Sequence, residues 1–335
     1  MTAQIRGPLG VRQAGLLGVG AYRPARVVSN DEICEQIDSS DEWIRTRTGI
    51  TSRRFAGEHE TVVSMSLSAA ESALASAGVT PDQVGCVIVA TVTHLYQTPS
   101  AAAEIAHKIG ATPAAAFDIS AACAGFCYGL SLASDMVRGG SAEHVLVIGV
   151  ERLSDITDPF DRSTAFIFAD GAGAAVVGPS DTPGIGPVVW GSDGSQLDLI
   201  RQEEAWDEAF RREGGPAWPH MRMEGNPVFR WASFEMAKVA KRALDAAGVS
   251  PDDLDVFVPH QANMRITDAM VRAMGLPERV AVARDIAEQG NTSAASVPLA
   301  LERMLATGQA KSGDLALLIG FGAGLVYAAQ VARIP

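Results

Sequence analysis

The sequence predicts an α/β fold made of two similar halves, and three observations predict it. Residues 73–82 (ALASAGVTPD) return as residues 243–252 (ALDAAGVSPD), with seven of ten positions identical between Gly78 and Gly248, an offset of 170 residues. Further along, an apolar run closed by glycine also occurs twice, as Val145 to Gly149 and as Leu315 to Gly320. These runs are short and apolar throughout, the signature of strands buried on both faces between helices.

Taken in chain order, the elements fit that scheme. The first repeat ends a helix at Gly78 and turns through Thr80-Pro81-Asp82 into the strand Val87-Ile88-Val89; Gly-Val-x-Pro-Asp is a natural helix stop and turn. A small-residue helix is expected to open near Cys123 and to end at Met136-x-x-x-Gly140, ahead of the strand 145–148. The stretch 179–193, rich in Pro, Gly and Ser, joins the halves, which we place at residues 1–180 and 181–335. The second copy runs through Gly248 into Val256-Phe257-Val258, then through a helix opening near Asn291 and closing at Met304-x-x-x-Gly308, to Leu315–Gly320. Matching the two Met-x-x-x-Gly ends, 168 residues apart, makes Cys123 and Asn291 equivalent positions. Leu315 to Ala332 is long and apolar enough to suggest a membrane helix, but Gly320, Gly322 and Gly324 at its centre favour a turn between two buried strands.

Composition narrows the functional classes. A chain of 335 residues, 47% hydrophobic and 20% charged, buries a large core. A formal charge of −12 repels nucleic acid and anionic membranes, so an acidic partner needs a local basic patch. Four cysteines, with neither C-x-x-C spacing nor a disulfide framework, suit a reducing cytoplasm, and Met1 to Pro8 lacks the apolar stretch of an export signal. The six histidines form no ligand-spaced set, so no metal is expected. Gly18-Val-Gly20 has Arg23 where a dinucleotide fingerprint needs its third glycine, and no Walker lysine follows any glycine run.

Three residues then stand out as chemistry. Cys123, in Ser120-Ala-Ala-Cys-Ala-Gly-Phe126, opens a helix, where the dipole and free N–H groups are expected to lower its pKa and favour thiolate. Cys34, Cys86 and Cys127 are expected to be small buried hydrophobes. His260 lies just past the strand 256–258, and ligands gather beyond the carboxyl ends of such strands. Asn291 opens Gly290-Asn-Thr-Ser-Ala-Ala-Ser296, as a helix cap or as an amide donor facing the thiol. Facing halves would bring all three to one site. The turn Gly320-Phe-Gly-Ala-Gly324 can offer backbone N–H groups to an oxyanion.

Six segments, Asp41–Ile50, Ala121–Phe126, Phe168–Ala174, Val258–Asn263, Gly290–Ser296 and Gly320–Gly324, together resemble the β-ketoacyl-acyl carrier protein synthase III family, from about residue 14 to the end. The resemblance implies a thiolase-like fold in five layers, α-β-α-β-α, a homodimer, and a Cys123-His260-Asn291 triad with Ala323 as oxyanion donor and Phe321 as a shield against water. It further implies that Trp43, Arg47 and Arg162 hold the nucleotide end of coenzyme A, by stacking and charge pairing. Asn226, Phe229 and Asn263 would line its pantetheine tunnel. Arg230, Arg265 and Arg272 would dock a carrier protein, with Ala273 where a second consecutive basic residue can stand. Thr98 would face the partner subunit's acyl pocket, where a small residue leaves room for longer or branched chains. The implied reaction is decarboxylative condensation of an acyl-CoA with malonyl-acyl carrier protein to begin fatty acid synthesis, without a cofactor, since coenzyme A enters as substrate and leaves as product. The alternative is a starter ketosynthase or acyltransferase of a polyketide or other specialised pathway.

Overall fold

The structure, a computed structural model, describes residues 12–211, 213 and 218–335; the Met1–Pro8 stretch lies outside them. The first half runs through β1 (Gln13–Tyr22), β2 (Arg26–Ser29), α1 (Asn30–Cys34), α2 (Asp41–Thr48), β3 (Ser52–Phe55), α3 (Val62–Ala77), β4 (Val84–Ala90), α4 (Ala101–Ile109), β5 (Ala115–Ile119), α5 (Gly125–Gly139), β6 (His144–Arg152) and β7 (Asp170–Ser180). The second runs through β8 (Val189–Ser192), β9 (Ile200–Gln202), α6 (Trp206–Arg211), β10 (Met221–Met223), α7 (Gly225–Ala247), β11 (Val256–Pro259), α8 (Met264–Met274), β12 (Ala281–Val282), α9 (Ile286–Gln289), α10 (Ser296–Ala306), β13 (Leu315–Gly322) and β14 (Val326–Arg333).

Two five-stranded sheets carry the same topology. One is ordered β5-β4-β6-β7-β1 and the other β12-β11-β13-β14-β8. In each, the first three strands are parallel and the last two antiparallel to their neighbours. The repeated decapeptide does the same work in both copies. Helix α3 ends at Gly78 (φ 64) and α7 at Gly248 (φ 68), a backbone region where glycine escapes the Cβ penalty. Val79 and Val249 then close those ends by donating to Leu74 and Leu244 carbonyls at 3.1 and 3.0 Å.

Burial defines five layers. Helices α3 and α4 pack apolar faces on the outer side of the first sheet, and α7 and α8 do so on the second. Between the sheets lie α5 and α10, in a core that draws on Val147 and Ile88 from one side and Val258 and Leu318 from the other. Because α5 and α10 are covered on both faces, they are apolar nearly all round: Phe126, Leu130, Val297, Leu299 and Leu301 are at most 1% exposed. Each such side chain contributes roughly 1.5–3 kcal/mol by burial. The apolar stretch 315–332 is two antiparallel strands with a turn at its glycines, and among the described residues no helix is long and apolar enough to cross a membrane.

One expectation is corrected. The short turns before the central helices, Ala122–Ala124 and Ser293–Ala295, align at an offset of 171 residues, so Cys123 corresponds to Ala294 and Asn291 to Ser120. The Met-x-x-x-Gly match misled because the helices end differently. Helix α5 stops at Gly140 (φ 76), whereas α10 stops at Thr307, one residue before Gly308.

Candidate active site

The site forms where the two turns meet. Ala122 (φ 43) and Ser293 (φ 48) are the non-glycine residues of positive φ among the described residues, and they are counterparts. This sparsely populated conformation is held by reciprocal packing across the halves. A Cβ on Gly149 would lie 2.3 Å from the Ala294 carbonyl oxygen, and one on Gly320 would lie 2.9 Å from that of Cys123. Each turn thus rests on the other half's central strand, at a position where only a hydrogen fits.

Cys123 is thereby held in the wall of a cavity of about 500 Å³, together with Ser293, Ala323, Phe168, Thr91 and Trp206. The backbone N–H groups of Cys123 itself and Ala323, and the Ser293 side chain, act on its sulfur in favour of the thiolate. Burial nevertheless dominates and pushes the thiol up to about 11, where the helix-terminus argument had expected a lowered value. The residue sits in a turn ahead of α5, partly exposed to the cavity but surrounded by protein, so desolvation of the charged form outweighs the donors. At rest Cys123 is therefore a thiol. Of the other cysteines, Cys86 and Cys127 are buried as expected, whereas Cys34, the last residue of α1, is half-buried.

His260 follows β11, its N–H donating to the Ile319 carbonyl at 2.7 Å, and it is 3% exposed. Burial drives its pKa down to about 3, so the ring is neutral. Its Nδ1 lies 2.6 Å from the Ser296 hydroxyl, the first residue of α10, and that oxygen already accepts the Gln261 N–H at 3.3 Å. With the hydroxyl as donor to Nδ1, the ring proton sits on Nε2 and that edge is a donor. Phe321 braces the ring edge-on, at 5.3 Å between centroids, and touches Trp231 at 6.2 Å.

Asn291 is pinned by its backbone, which exchanges bonds with Ile167 and Ala169 at 2.9 Å each. Its Oδ1 accepts the Ser293 N–H, also at 2.9 Å, which identifies the oxygen end and leaves the NH2 as the donor end. Ser293 thus acts on Cys123 and is bonded to Asn291, and Ser296 touches His260. The sequence reading named neither serine, although both fall inside the quoted Gly290–Ser296 segment. It also missed Glu151, fully buried and hydrogen-bonded to Thr91, Thr93 and the Val92 N–H. An acid at a strand end carries no signal that it turns inward.

The other expected contacts fall into three groups. Trp43 lies under two guanidinium groups, Arg47 at 5.8 Å and Arg162 at 5.7 Å, and packs edge-on against Phe166 at 5.4 Å. Asn263 caps α8 and donates to the Arg47 carbonyl at 3.1 Å, tying that cluster to the second half. Arg265 covers the Phe229 ring at 4.9 Å, next to exposed Asn226 and Arg230. Among the described residues no ion pair engages Arg230, Arg265 or Arg272, all exposed. Thr98 is exposed and is not part of the cavity wall, to which its neighbours His94, Tyr96 and Gln97 contribute. Among the described residues no cluster suited to a metal ion occurs.

Two family models match this chain: 3-oxoacyl-[acyl-carrier-protein (ACP)] synthase III over residues 117–194 and its C-terminal counterpart over 244–334. β-Ketoacyl-[acyl-carrier-protein] synthase III 1 of Streptomyces coelicolor is 61% identical, across 99% of this chain and all of the relative. The chain belongs to the β-ketoacyl-acyl carrier protein synthase III family. Among solved structures, the priming β-ketosynthase from the R1128 polyketide biosynthetic pathway superposes with a TM-score of 0.97 at 50% identity, covering 99% of both chains. The synthase III of Aquifex aeolicus gives 0.88 at 38% identity over 96% of this chain and 99% of its own. The five-layered synthase III architecture is therefore the fold of this chain.

Proposed function

We propose that this synthase III family member condenses an acyl-CoA with malonyl-acyl carrier protein, releasing coenzyme A and carbon dioxide, to start fatty acid synthesis. The observation that carries the reading is the convergence of two backbone N–H groups, from Cys123 and Ala323, on the Cys123 sulfur. Donors converging on the nucleophile are what thioester attack needs, because the carbonyl oxygen becomes negative beside the attacking atom. Cys123 takes the acyl group. A malonyl thioester then enters, and its carbonyl oxygen accepts hydrogen bonds from His260 Nε2 and the Asn291 amide as loss of carbon dioxide builds an enolate. Neutral donors suit this step, since a donor that is itself uncharged remains one across the working pH range. Phe321, against His260, keeps water from protonating the carbanion.

Trp43 with Arg47 and Arg162 receives the nucleotide of coenzyme A, with Asn226, Phe229 and Asn263 along the pantetheine path. Arg230, Arg265 and Arg272 are exposed cations, without an ion pair among the described residues, for an acidic carrier protein on a chain that is acidic overall. We further take the halves to meet near residue 180, the protein to act as a cytoplasmic homodimer without a cofactor, and Thr98 to tune chain choice across the subunit boundary. Curated relatives at 61% and 62% identity carry the synthase III name, which favours condensation over acyl transfer in a specialised pathway.

Intact-mass measurement after mixing with acyl-CoA tests the division of labour. Cys123→Ala adds no acyl mass. Asn291→Ala still adds it but loses condensation by roughly a hundred- to a thousandfold. If Asn291→Ala blocked acylation as completely as Cys123→Ala, the assignment of separate tasks would be wrong.

A further inference from the structure

Resting on the condensing reading above, the geometry leaves one buried cation without a task. Arg53, on β3, is 0% exposed, and among the described residues no carboxylate forms an ion pair with it; Asp41 pairs instead with Arg45 at 2.7 Å. Burial pulls the guanidinium down to about 10, so it is still charged at neutral pH. An apolar side chain would fill the same space at less cost in desolvation. What the guanidinium supplies is position. Its Nη1 donates to the Val28 carbonyl at 3.2 Å, and its Nη2 to Asn30 Oδ1 at 2.6 Å and the Phe166 carbonyl at 3.0 Å. One planar fork thus holds β2, the start of α1 and the segment that begins at Phe166.

From that fork, bonded contacts lead to both ends of the site. Phe166 packs edge-on against Trp43, and Trp43 sits on α2, whose first residue, Asp41, accepts from Asn30 Nδ2 at 2.8 Å. Arg53 therefore reaches Trp43 from two directions. Further along the same segment, Ile167 accepts the Asn291 N–H and Ala169 donates to the Asn291 carbonyl, at 2.9 Å each, while Phe168 lines the cavity. The stem of Arg53 packs on this junction as well: a Cβ on Gly290 would lie 2.8 Å from the Cβ of Arg53 and 2.8 Å from that of Ala169. Just ahead of β3, Thr51 donates its N–H and its hydroxyl to the Ala287 carbonyl at 2.7 Å each, which fastens the strand to α9, the helix that leads into Gly290.

We propose that Arg53 is a positioning residue for the condensing reaction, holding the Trp43 platform and the Asn291 amide in one fixed relation through Phe166–Ala169. It touches no substrate and acts only through these neighbours. Because the guanidinium meets its acceptors with two nitrogens at once, a lysine keeps the charge but not the span. Without that span the segment 166–169 can shift, and both groups that hang on it move together. Cys123 stays where it is, since its turn rests on Gly320 of β13.

Two measurements test this: single-turnover acylation of Cys123, read by quenched intact mass, and carbon dioxide release from malonyl-N-acetylcysteamine by the acylated enzyme. The N-acetylcysteamine thioester has no nucleotide, so it reports on Asn291 without Trp43. Arg53→Lys should raise the acyl-CoA concentration for half-saturation roughly tenfold and slow carbon dioxide release roughly tenfold. Its saturated acylation by acyl-N-acetylcysteamine should stay within about twofold of wild type, which a merely loosened fold would not allow. Asn30→Ala cuts the link to Asp41 but leaves the Phe166 bond, so it should raise half-saturation for acyl-CoA and leave carbon dioxide release alone. That variant decides the matter if Arg53→Lys does not fold, and an unchanged half-saturation in it would overturn the proposal. So would a folded Arg53→Lys in which all three quantities worsen together, only one end suffers, or neither does. A wild-type protein that took no acyl group at all would instead overturn the condensing reading on which the proposal rests.

Discussion

The turns Ala122–Ala124 and Ser293–Ala295 have the same backbone, the same positive φ at their entrance and the same glycine support from the opposite half, yet their chemistry differs. Cys123 faces the cavity; its counterpart Ala294 is 1% exposed with no functional atom. The contrast continues one step further. By strand register His260 corresponds to Ala90, and its partner Ser296 to Gly125. In the second half that junction is a 2.6 Å hydrogen bond, and in the first it is a tight apolar contact in which a Cβ on Gly125 would lie 2.8 Å from that of Ala90. The duplicated backbone thus provides two equivalent seats, and one set of side chains is divided between them.

The most severe way to break the comparison is to move the thiol to its twin. Cys123→Ala combined with Ala294→Cys keeps the backbone seat and the number of sulfurs unchanged. Acyl transfer should nevertheless fall below detection by intact mass, because the transplanted sulfur is buried away from the cavity and from the Ala323 N–H. Acylation of the relocated cysteine would mean that the seats are chemically interchangeable.

A smaller effect comes from lifting a turn off its support. Gly149→Ala places a methyl 2.3 Å from the Ala294 carbonyl oxygen, and Gly320→Ala places one 2.9 Å from the Cys123 carbonyl oxygen. Both obstacles are backbone, which cannot rotate away. Overpacking of this kind costs about 1–3 kcal/mol, and the closer contact at Gly149 should cost the more. Thermal or urea unfolding reads the difference; Gly320→Ala proving the more damaging would contradict the packing described.

How much of this the sequence disclosed depends on whether a feature repeats locally. The halves were legible because a helix stop needs glycine and a buried strand needs an apolar run, and both needs recur in ALASAGVTPD and ALDAAGVSPD. Cys123, His260 and Asn291 could be singled out as separate residues, but their correspondence could not be aligned, since helix ends of different form shifted the count by three. The Cys123 pKa was misjudged for a related reason. Helix position is local and readable, whereas desolvation depends on what the other half lays over the thiol. Glu151 was invisible for that reason too: its hydrogen-bond partners Thr91, Val92 and Thr93 come from a distant part of the chain.

The mildest test separates the two tasks within the second half. Ser296→Ala removes the hydroxyl that holds Nδ1 of His260 as an acceptor but leaves the ring packed against Phe321. A neutral histidine then shares its proton between both nitrogens, so the donor at Nε2 is present only part of the time. Loss of one such hydrogen bond is worth about 1 kcal/mol. Carbon dioxide release from the malonyl thioester should therefore slow about fivefold, while acyl addition to Cys123 keeps its rate. A variant that slowed acylation equally would show that Ser296 shapes the whole cavity rather than the His260 ring alone.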